Sequence, residues 1–438
     1  MPRRHLLIGS GPAAIAAAET IRSHDHAAEI VIVSADPDGY YSRPGLAYYL
    51  TKELPEKRLF PLTPQELAGL KLQWLTARAV AVAPERHRVT LEGGRELPYD
   101  RLLIATGSTA IAASCPGAHL DGVVKLDDMD DARNLLERCH TARAAVVVGG
   151  GITALEIVEG LQAHGVRVHY LMRKDRYWSN VLSELESRLV ERALRGRGVE
   201  IHDFSELGQI LGRDGRVVAV ETTSGTRIPC DIVAVAIGVR PQKELAATAG
   251  LECGRGILVD EHLRSSNPHI FAAGDVAEAY EPLTRRRTIE VLWGSAVAKG
   301  RIAGLNMVTE ALDSYDKRAP LNVTRLAGFK ITIIGTVGHG KDADLPGVAR
   351  GDSETWRELG EATIVESHGN DAHVRLALGE RTIVGAVAMG NQSISFPLQD
   401  LIEARADVSD IATRLQAPGA PVAEIVTAHW QDWKAQRV

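Results

Sequence analysis

Cysteine is scarce in this chain: four residues, Cys115, Cys139, Cys230 and Cys253, are spread through 438. They show no C-x-x-C spacing and have no neighbouring histidine pair, so neither a disulfide framework nor a bound metal is expected. Long apolar runs are missing too. None reaches the roughly 18 residues that a spanning helix needs, and the first, Leu6–Ile8, runs straight into glycines, the wrong shape for a signal peptide or anchor. No membrane contact is expected, and the cytoplasm is the default location. Basic blocks interleaved with aromatics are also lacking, and a net charge of -6 offers nothing to a polyanion, which argues against nucleic acid.

What the chain does contain is glycine, 41 residues of it, and two stretches use it alike. The first runs from the short apolar strand His5–Ile8 through Gly9-Ser10-Gly11-Pro12-Ala13-Ala14 into an alanine-rich helix to about Arg22, then the strand Glu29–Val33. The second runs from Ala144–Val148 through Gly149-Gly150-Gly151-Ile152-Thr153-Ala154 into a helix to about His164, then the strand Val166–Leu171. Strand, glycine turn, helix and strand make a βαβ unit of a parallel sheet. In such a turn the first glycine permits the tight bend and the second lets the backbone approach a pyrophosphate. The third small residue, Ala14 or Ala154, lets helix and strand pack closely. The helix N-terminus offers its unpaired N–H groups to the phosphates. One such hexapeptide could be a plain strand-to-helix connection; two in the right context point to two bound dinucleotides.

The remaining motifs separate flavin from nicotinamide. Tyr99-Asp100-Arg101-Leu102-Leu103-Ile104-Ala105-Thr106-Gly107-Ser108, Ala236-Ile237-Gly238-Val239-Arg240-Pro241 and Ile270-Phe271-Ala272-Ala273-Gly274-Asp275 follow in order. With the glycine turns they resemble the pyridine nucleotide-disulfide oxidoreductase superfamily across about residues 4–310. The resemblance implies an α/β fold of two Rossmann-like domains, one inserted in the other, with a C-terminal α+β domain. The implied division is 1–112 and 242–318 for the FAD-binding domain, 113–241 for the NAD(P)-binding domain, and 319–438 for the C-terminal one. Gly9, Gly11, Pro12, Ala13, Ala14, Ser34, Arg43, Pro44, Ala105, Thr106, Gly107, Gly274, Asp275 and Trp293 then fall to FAD. Gly149, Gly151, Ile152, Glu156, Arg173 and Gly238 fall to the nicotinamide nucleotide. By itself Asp275 reads as the N-cap of a following helix, a role compatible with facing the cofactor, and Trp293 as a core aromatic.

The segment Tyr41-Ser42-Arg43-Pro44-Gly45-Leu46-Ala47-Tyr48-Tyr49-Leu50 is where disulfide reductases and single-cysteine oxidases of this superfamily carry their nucleophile, and it holds no cysteine. No other side chain substitutes for a thiolate in that chemistry. Its pattern resembles NAD(P)H-dependent rubredoxin and ferredoxin reductases and the flavin module of nitrite reductase large subunits. The resemblance implies an oxidoreductase in which hydride passes from nicotinamide to flavin and electrons leave to a small iron protein. A flavin-stabilised, redox-switched interaction protein resembling apoptosis-inducing factor, and an NAD(P)H oxidase acting on oxygen or quinone, remain as alternatives; a homodimer is possible.

Several positions depart from the pattern. Ser34 and, two residues on, Asp36 stand where a carboxylate usually binds the adenosine ribose. Tyr48 stands where ferredoxin reductases of this type tend to have a lysine paired with the glutamate matching Glu156, so Tyr48 and Glu156 are the catalytic candidates. The second nucleotide strand ends in Met172-Arg173-Lys174-Asp175-Arg176 with no carboxylate at the expected place, which favours NADPH, with NADH possible. Arg285-Arg286-Arg287 offers a basic docking patch for an acidic carrier, or a solvated turn. The C-terminal part lacks the His-Pro pair of disulfide reductases and cysteines for an iron–sulfur cluster. There Thr332–Ile334 and Thr382–Val387 read as strands, Leu398–Ala406 and Val422–Trp433 as helices, and Gly338–Asp352 as a loop.

Overall fold

The computed structural model describes residues 2–281, 285–340, 348, 350–369 and 372–437. Its first sheet is parallel and orders Ile270–Ala272, Arg101–Ile104, Arg4–Ile8, Glu29–Ser34 and Leu72–Thr76 side by side. The second repeats the plan with Glu200–His202, Arg167–Leu171, Ala144–Val148, Ile232–Val235 and Val123–Val124. Both central strands are buried almost throughout, as a parallel sheet covered on both faces requires. In each, the strand that follows the glycine turn and helix lies beside the strand that precedes it, as a right-handed βαβ crossover does.

The first sheet takes four strands from before residue 105 and its last from 270–272, so the second sheet is inserted between them. The two returning strands hold the units together: Ser108–Ala110 and Val239–Pro241 pair antiparallel, and Thr106 Oγ1 donates to the Gln242 carbonyl at 2.7 Å. The helix Pro12–His24 is buried beneath the helix Trp293–Val308, where a Cβ on Gly300 would come within 2.2 Å of the Ala13 carbonyl oxygen. Alanine and glycine at this seam allow the two backbones to approach so closely.

The C-terminal part is an antiparallel sheet ordered Leu321–Leu326, Phe329–Gly335, Ile383–Gly390, Ala372–Leu378 and Thr363–His368, with the helices Ser395–Glu403, Ser409–Leu415 and Val422–Ala435. The anticipated strands and helices are there; Leu321–Leu326, Thr363–His368 and Ala372–Leu378 are strands that the sequence reading passed over. Of the anticipated loop, 341–347 and 349 lie outside the described residues. This part is joined to the second sheet's unit by a buried ion pair. Arg375 reaches both carboxylate oxygens of Glu186 at 3.0 Å, and His373 Nε2 lies 3.0 Å from the same group.

Candidate functional site

The two glycine turns are nearly superimposable in their constraints. Gly9 (φ +113) and Gly149 (φ +143) adopt backbone angles that a side chain disfavours. A Cβ would also fall 2.1 Å from the Ala105 carbonyl oxygen at the first and 2.2 Å from that of Ala236 at the second. The second glycine of the first turn is different: a Cβ on Gly11 would meet nothing within 4 Å. The first turn therefore requires its first glycine for its own packing, and leaves open space at its second.

The helix starts reinforce this reading. Thr63, Asp128 and Ser183 are side-chain caps of their helices; the helices Pro12–His24 and Ile152–Ala163, like most of the described helices, have no side-chain cap, and they begin at Gly11 and Gly151. Their first N–H groups stay available to an anionic ligand. This is the cradle that the pyrophosphate of a dinucleotide fits.

Around the first turn, Ser34 ends its strand buried, its hydroxyl 2.8 Å from that of Ser10. Asp36 accepts from Tyr41 at 3.1 Å and lies 3.6 Å from Arg43. Arg43, just before Pro44 and the helix Gly45–Leu50, donates to the Asp127 carbonyl at 3.0 Å. Ala105 continues the sheet strand, and Gly107 turns the chain at φ +68. Gly274 (φ +80) sits against Ala13, beside the buried Ala14. Asp275 accepts from Ser108 Oγ at 2.7 Å. Burial pushes its carboxyl up from the ordinary value, opposed by Ser108 and by the charges of Arg350, Lys299 and Arg43. Asp275 does not cap a helix: Gly274–Val276 is a single 3-10 turn followed by the strand Ala277–Glu281. The hydroxyl of Ser108 holds the carboxylate in place. Trp293 opens its long helix partly buried, stacked on Tyr40 with ring centres 6.0 Å apart.

The second turn borders a cavity of about 320 Å³ lined by Gly149, Gly151, Arg173, Lys174, Arg176 and Gly238, among others. Glu206 is also on its wall, as is Arg357 from the C-terminal part. Ile152 is buried at the first turn of its helix. Glu156 lies one turn on, and burial raises its carboxyl to about 7, with Arg350 opposing and Glu159 reinforcing.

Tyr48 and Glu156 belong to helices that pack together so closely that a Cβ on Gly160 would lie 2.8 Å from Leu50 Cβ. Two arginines from later in the chain act near this pair. Arg325, from the C-terminal sheet, lies over the Tyr48 ring at 5.5 Å, and Arg350 acts on Glu156. Arg350 also pairs with Asp127, donating to its carbonyl at 2.9 Å. Burial works against the Asp127 charge, but Arg350 and Arg43 hold its carboxyl well below the usual range. Sequence reasoning missed Arg350, Arg325 and Asp127, which carry no local motif; Ser108 had a signal, as the residue after Ala-Thr-Gly, and so had Lys299, in the stretch after Trp293 that resembles the family's long helix near the flavin.

Of the basic triplet, Arg285 is exposed, Arg286 is 3.4 Å from Glu358, and Arg287 donates to the Val259 carbonyl at 2.7 Å. All three are exposed, and only Arg286 has a carboxylate among the partners described.

Residues 3–300 match the family described as pyridine nucleotide-disulphide oxidoreductase. The chain is 32% identical over 310 residues to a rubredoxin-NAD(+) reductase of Ectopseudomonas oleovorans, covering 70% of this chain and 77% of that one. It is 29% identical over 413 residues to the ferredoxin--NAD(+) reductase component of the biphenyl dioxygenase system of Paraburkholderia xenovorans, covering 91% and 98%. In fold it is similar to a ferredoxin reductase of Rhodopseudomonas palustris, with a TM-score of 0.85 at 22% identity over 97% of this chain and 100% of that one. No helix among the described residues is long and apolar enough to cross a membrane. With two dinucleotide cradles in the expected order, the chain belongs to the pyridine nucleotide-disulphide oxidoreductase family and is an FAD-dependent NAD(P)H oxidoreductase.

Proposed function

We propose that this protein passes electrons from NAD(P)H through FAD to a small iron protein of the rubredoxin or ferredoxin type. The observation that carries the reading is the absence of a thiol from the helix Gly45–Leu50 and its approach, combined with likeness to reductases named for rubredoxin and ferredoxin. Without a nucleophilic sulfur, disulfide chemistry is closed, and electrons have to leave the chain. FAD, when bound, accepts a hydride and gives up two electrons singly, chemistry that belongs to the cofactor.

The side chains bind and orient. Gly9, Gly11, Pro12, Ala13 and Ala14 cradle the FAD pyrophosphate, Ser34 meets the adenosine ribose, and Asp275, held by Ser108, meets the ribityl chain. Arg43, Pro44, Ala105, Thr106, Gly107 and Trp293 wall the flavin site. Gly149, Gly151, Ile152 and Gly238 cradle the nicotinamide nucleotide, with Tyr48 and Glu156 at the meeting of the two helices. Arg173 is assigned to a 2′-phosphate, so NADPH is the preferred donor; Glu206 in the same cavity is what would favour NADH. The domain limits are assigned as 1–112 with 242–318 for FAD, 113–241 for NAD(P), and 319–438 for the C-terminal unit; the pairing of Ser108–Ala110 with Val239–Pro241 supports the two crossings between the first two. A reducing compartment, the cytoplasm, suits four unpaired cysteines.

The test is steady-state turnover of the purified flavoprotein with NADPH or NADH and three acceptors: a rubredoxin, a [2Fe–2S] ferredoxin and oxygen. Reduction of an iron protein at least about tenfold faster than oxygen consumption is expected of an electron-transfer enzyme. Oxygen consumption as fast as the best carrier would replace this reading with an oxidase. Slow turnover with all three, accompanied by a change of oligomer on reduction, would replace it with a redox-switched binding protein.

A further inference from the structure

At the edge of the second parallel sheet stands a group of side chains that hydride and electron transfer do not use. His169 lies in the strand Arg167–Leu171, in register with Glu200 of the neighbouring strand Glu200–His202. Residues two apart on a strand share a face, so Glu200 and His202 both stand on the side of His169. Parallel pairing thus unites two histidines that are 33 residues apart in sequence. A search for closely spaced ligands passes over such a pair.

His169 Nδ1 is 3.3 Å from Glu200 Oε2 and 3.3 Å from His202 Nε2, and the three atoms all lie within 4.8 Å of one another. Ligands about 2.0–2.2 Å from a tetrahedral zinc ion are themselves about 3.3 Å apart, so the spacing is that of a ligand set. Nδ1 carries at most one proton, which serves the carboxylate or the second imidazole but not both at equal distance. A dipositive ion satisfies all three atoms at once. Glu200 is 57% exposed, so water has access to the remaining coordination position.

We propose that His169, Glu200 and His202 form a binding site for a divalent metal ion of the zinc class, completed by water. Two imidazoles and a carboxylate suit zinc better than magnesium or calcium, which take oxygen ligands. The site lies beside the nucleotide cavity, since Met172 N donates to the His202 carbonyl at 2.9 Å and Met172 lines that cavity.

The experiment is equilibrium dialysis of the chelator-washed holoenzyme against low micromolar zinc, with metal counted per flavin. Wild type is expected to hold one zinc more than the His169→Ala/His202→Ala double variant. Glu200→Gln, a change at an exposed position, is expected to weaken binding roughly tenfold. If the double variant loses flavin or melts early in chelator, the Glu200→Gln comparison carries the test alone. Cobalt substitution adds a second readout: intense d–d absorption beyond the flavin band, absent from the variants, is expected of an inner-sphere tetrahedral site. Equal zinc in wild type and the variants, or cobalt spectra that do not differ between them, would overturn the proposal and leave a hydrogen-bonded histidine pair.

Discussion

The two glycine turns share one backbone plan and differ in what surrounds it. The first is enclosed: the helix Trp293–Val308 lies on its helix, Asp275 from a 3-10 turn and Ser108 from a further strand close on it, and the end of its second strand is buried with Ser34 bonded to Ser10. The second opens on a cavity of about 320 Å³ edged by Arg173, Lys174 and Arg176. On the proposed assignment, the same motif serves a resident cofactor in one place and an exchanging one in the other. What distinguishes them is the later chain folded over the turn, not the turn.

The largest effects come from breaking the feature the halves share. Gly9→Ala puts a methyl into the Ala105 carbonyl and should cost more than ~4 kcal/mol, leaving little folded flavoprotein. Gly149→Ala makes the same collision with Ala236 in the other sheet and should cost about as much. Gly11→Ala, by contrast, meets only open space. It should leave the melting temperature of the flavin-free protein unchanged and lower FAD affinity about tenfold or more, the cost of a lost close contact at the phosphates. Thermal melts of the apoprotein beside FAD titrations check this; a stability loss in Gly11→Ala equal to that in Gly9→Ala would mean that both glycines serve packing alone.

The next effect sharpens the difference between the halves, since the second is tied to the C-terminal sheet through Glu186. Removing one partner of a buried ion pair costs about 3–5 kcal/mol, so Glu186→Ala should lower stability by that order, measured by denaturant unfolding. Burial works against the Glu186 charge, but Arg375 and His373 win and hold its carboxyl below the ordinary value. Its contribution is therefore present above the unfolded pKa and lost as pH falls through the folded one. Wild type should lose its advantage over Glu186→Ala in acid, and an advantage that persists at the lowest pH would show that the carboxylate's charge is not what counts.

A smaller change tests the open cavity. Arg173→Ala should reduce the ratio of kcat/KM for NADPH over NADH about tenfold, one charge-assisted hydrogen bond's worth. A strong NADH preference in wild type that survives the substitution would assign the cavity to Glu206 and NADH.

How much of this was legible in sequence follows the range of each interaction. The βαβ units, the order of motifs and the missing thiol are written in short stretches, because turn geometry and sheet pairing act over a few residues. The neighbourhood of Tyr48 and Glu156 is not: Arg325 reaches Tyr48 from 277 positions along the chain and Arg350 acts on Glu156 from 194, both from a part with no motif. Asp275 was legible as a motif and misread in detail, since a Gly-Asp pair before apolar residues suits a helix start as well as the 3-10 turn and strand that follow here. The His169, Glu200 and His202 cluster depends wholly on strand register, which one sequence does not state.

The smallest expected effect concerns a position where the halves differ by one charge. Counting from Gly11 and Gly151, Glu156 of the second helix corresponds to Ala16 of the first, which is buried. In the second helix burial raises the carboxyl from 4.5 to about 7. A folded value above the unfolded one means that the folded state binds the proton more tightly. The stabilisation is complete below pH 4.5 and is lost as pH rises through about 7. The melting temperature should thus fall in wild type over that interval through this group, and Glu156→Gln, neutral at every pH, should flatten the fall. If Glu156 also takes part at the nicotinamide site, kcat/KM for NAD(P)H should show a transition near 7 in wild type that the glutamine variant lacks. A pH–stability profile identical in the two proteins would place the Glu156 carboxylate in a wetter setting than its burial implies, and a rate transition that survives Glu156→Gln would move the titrating group elsewhere.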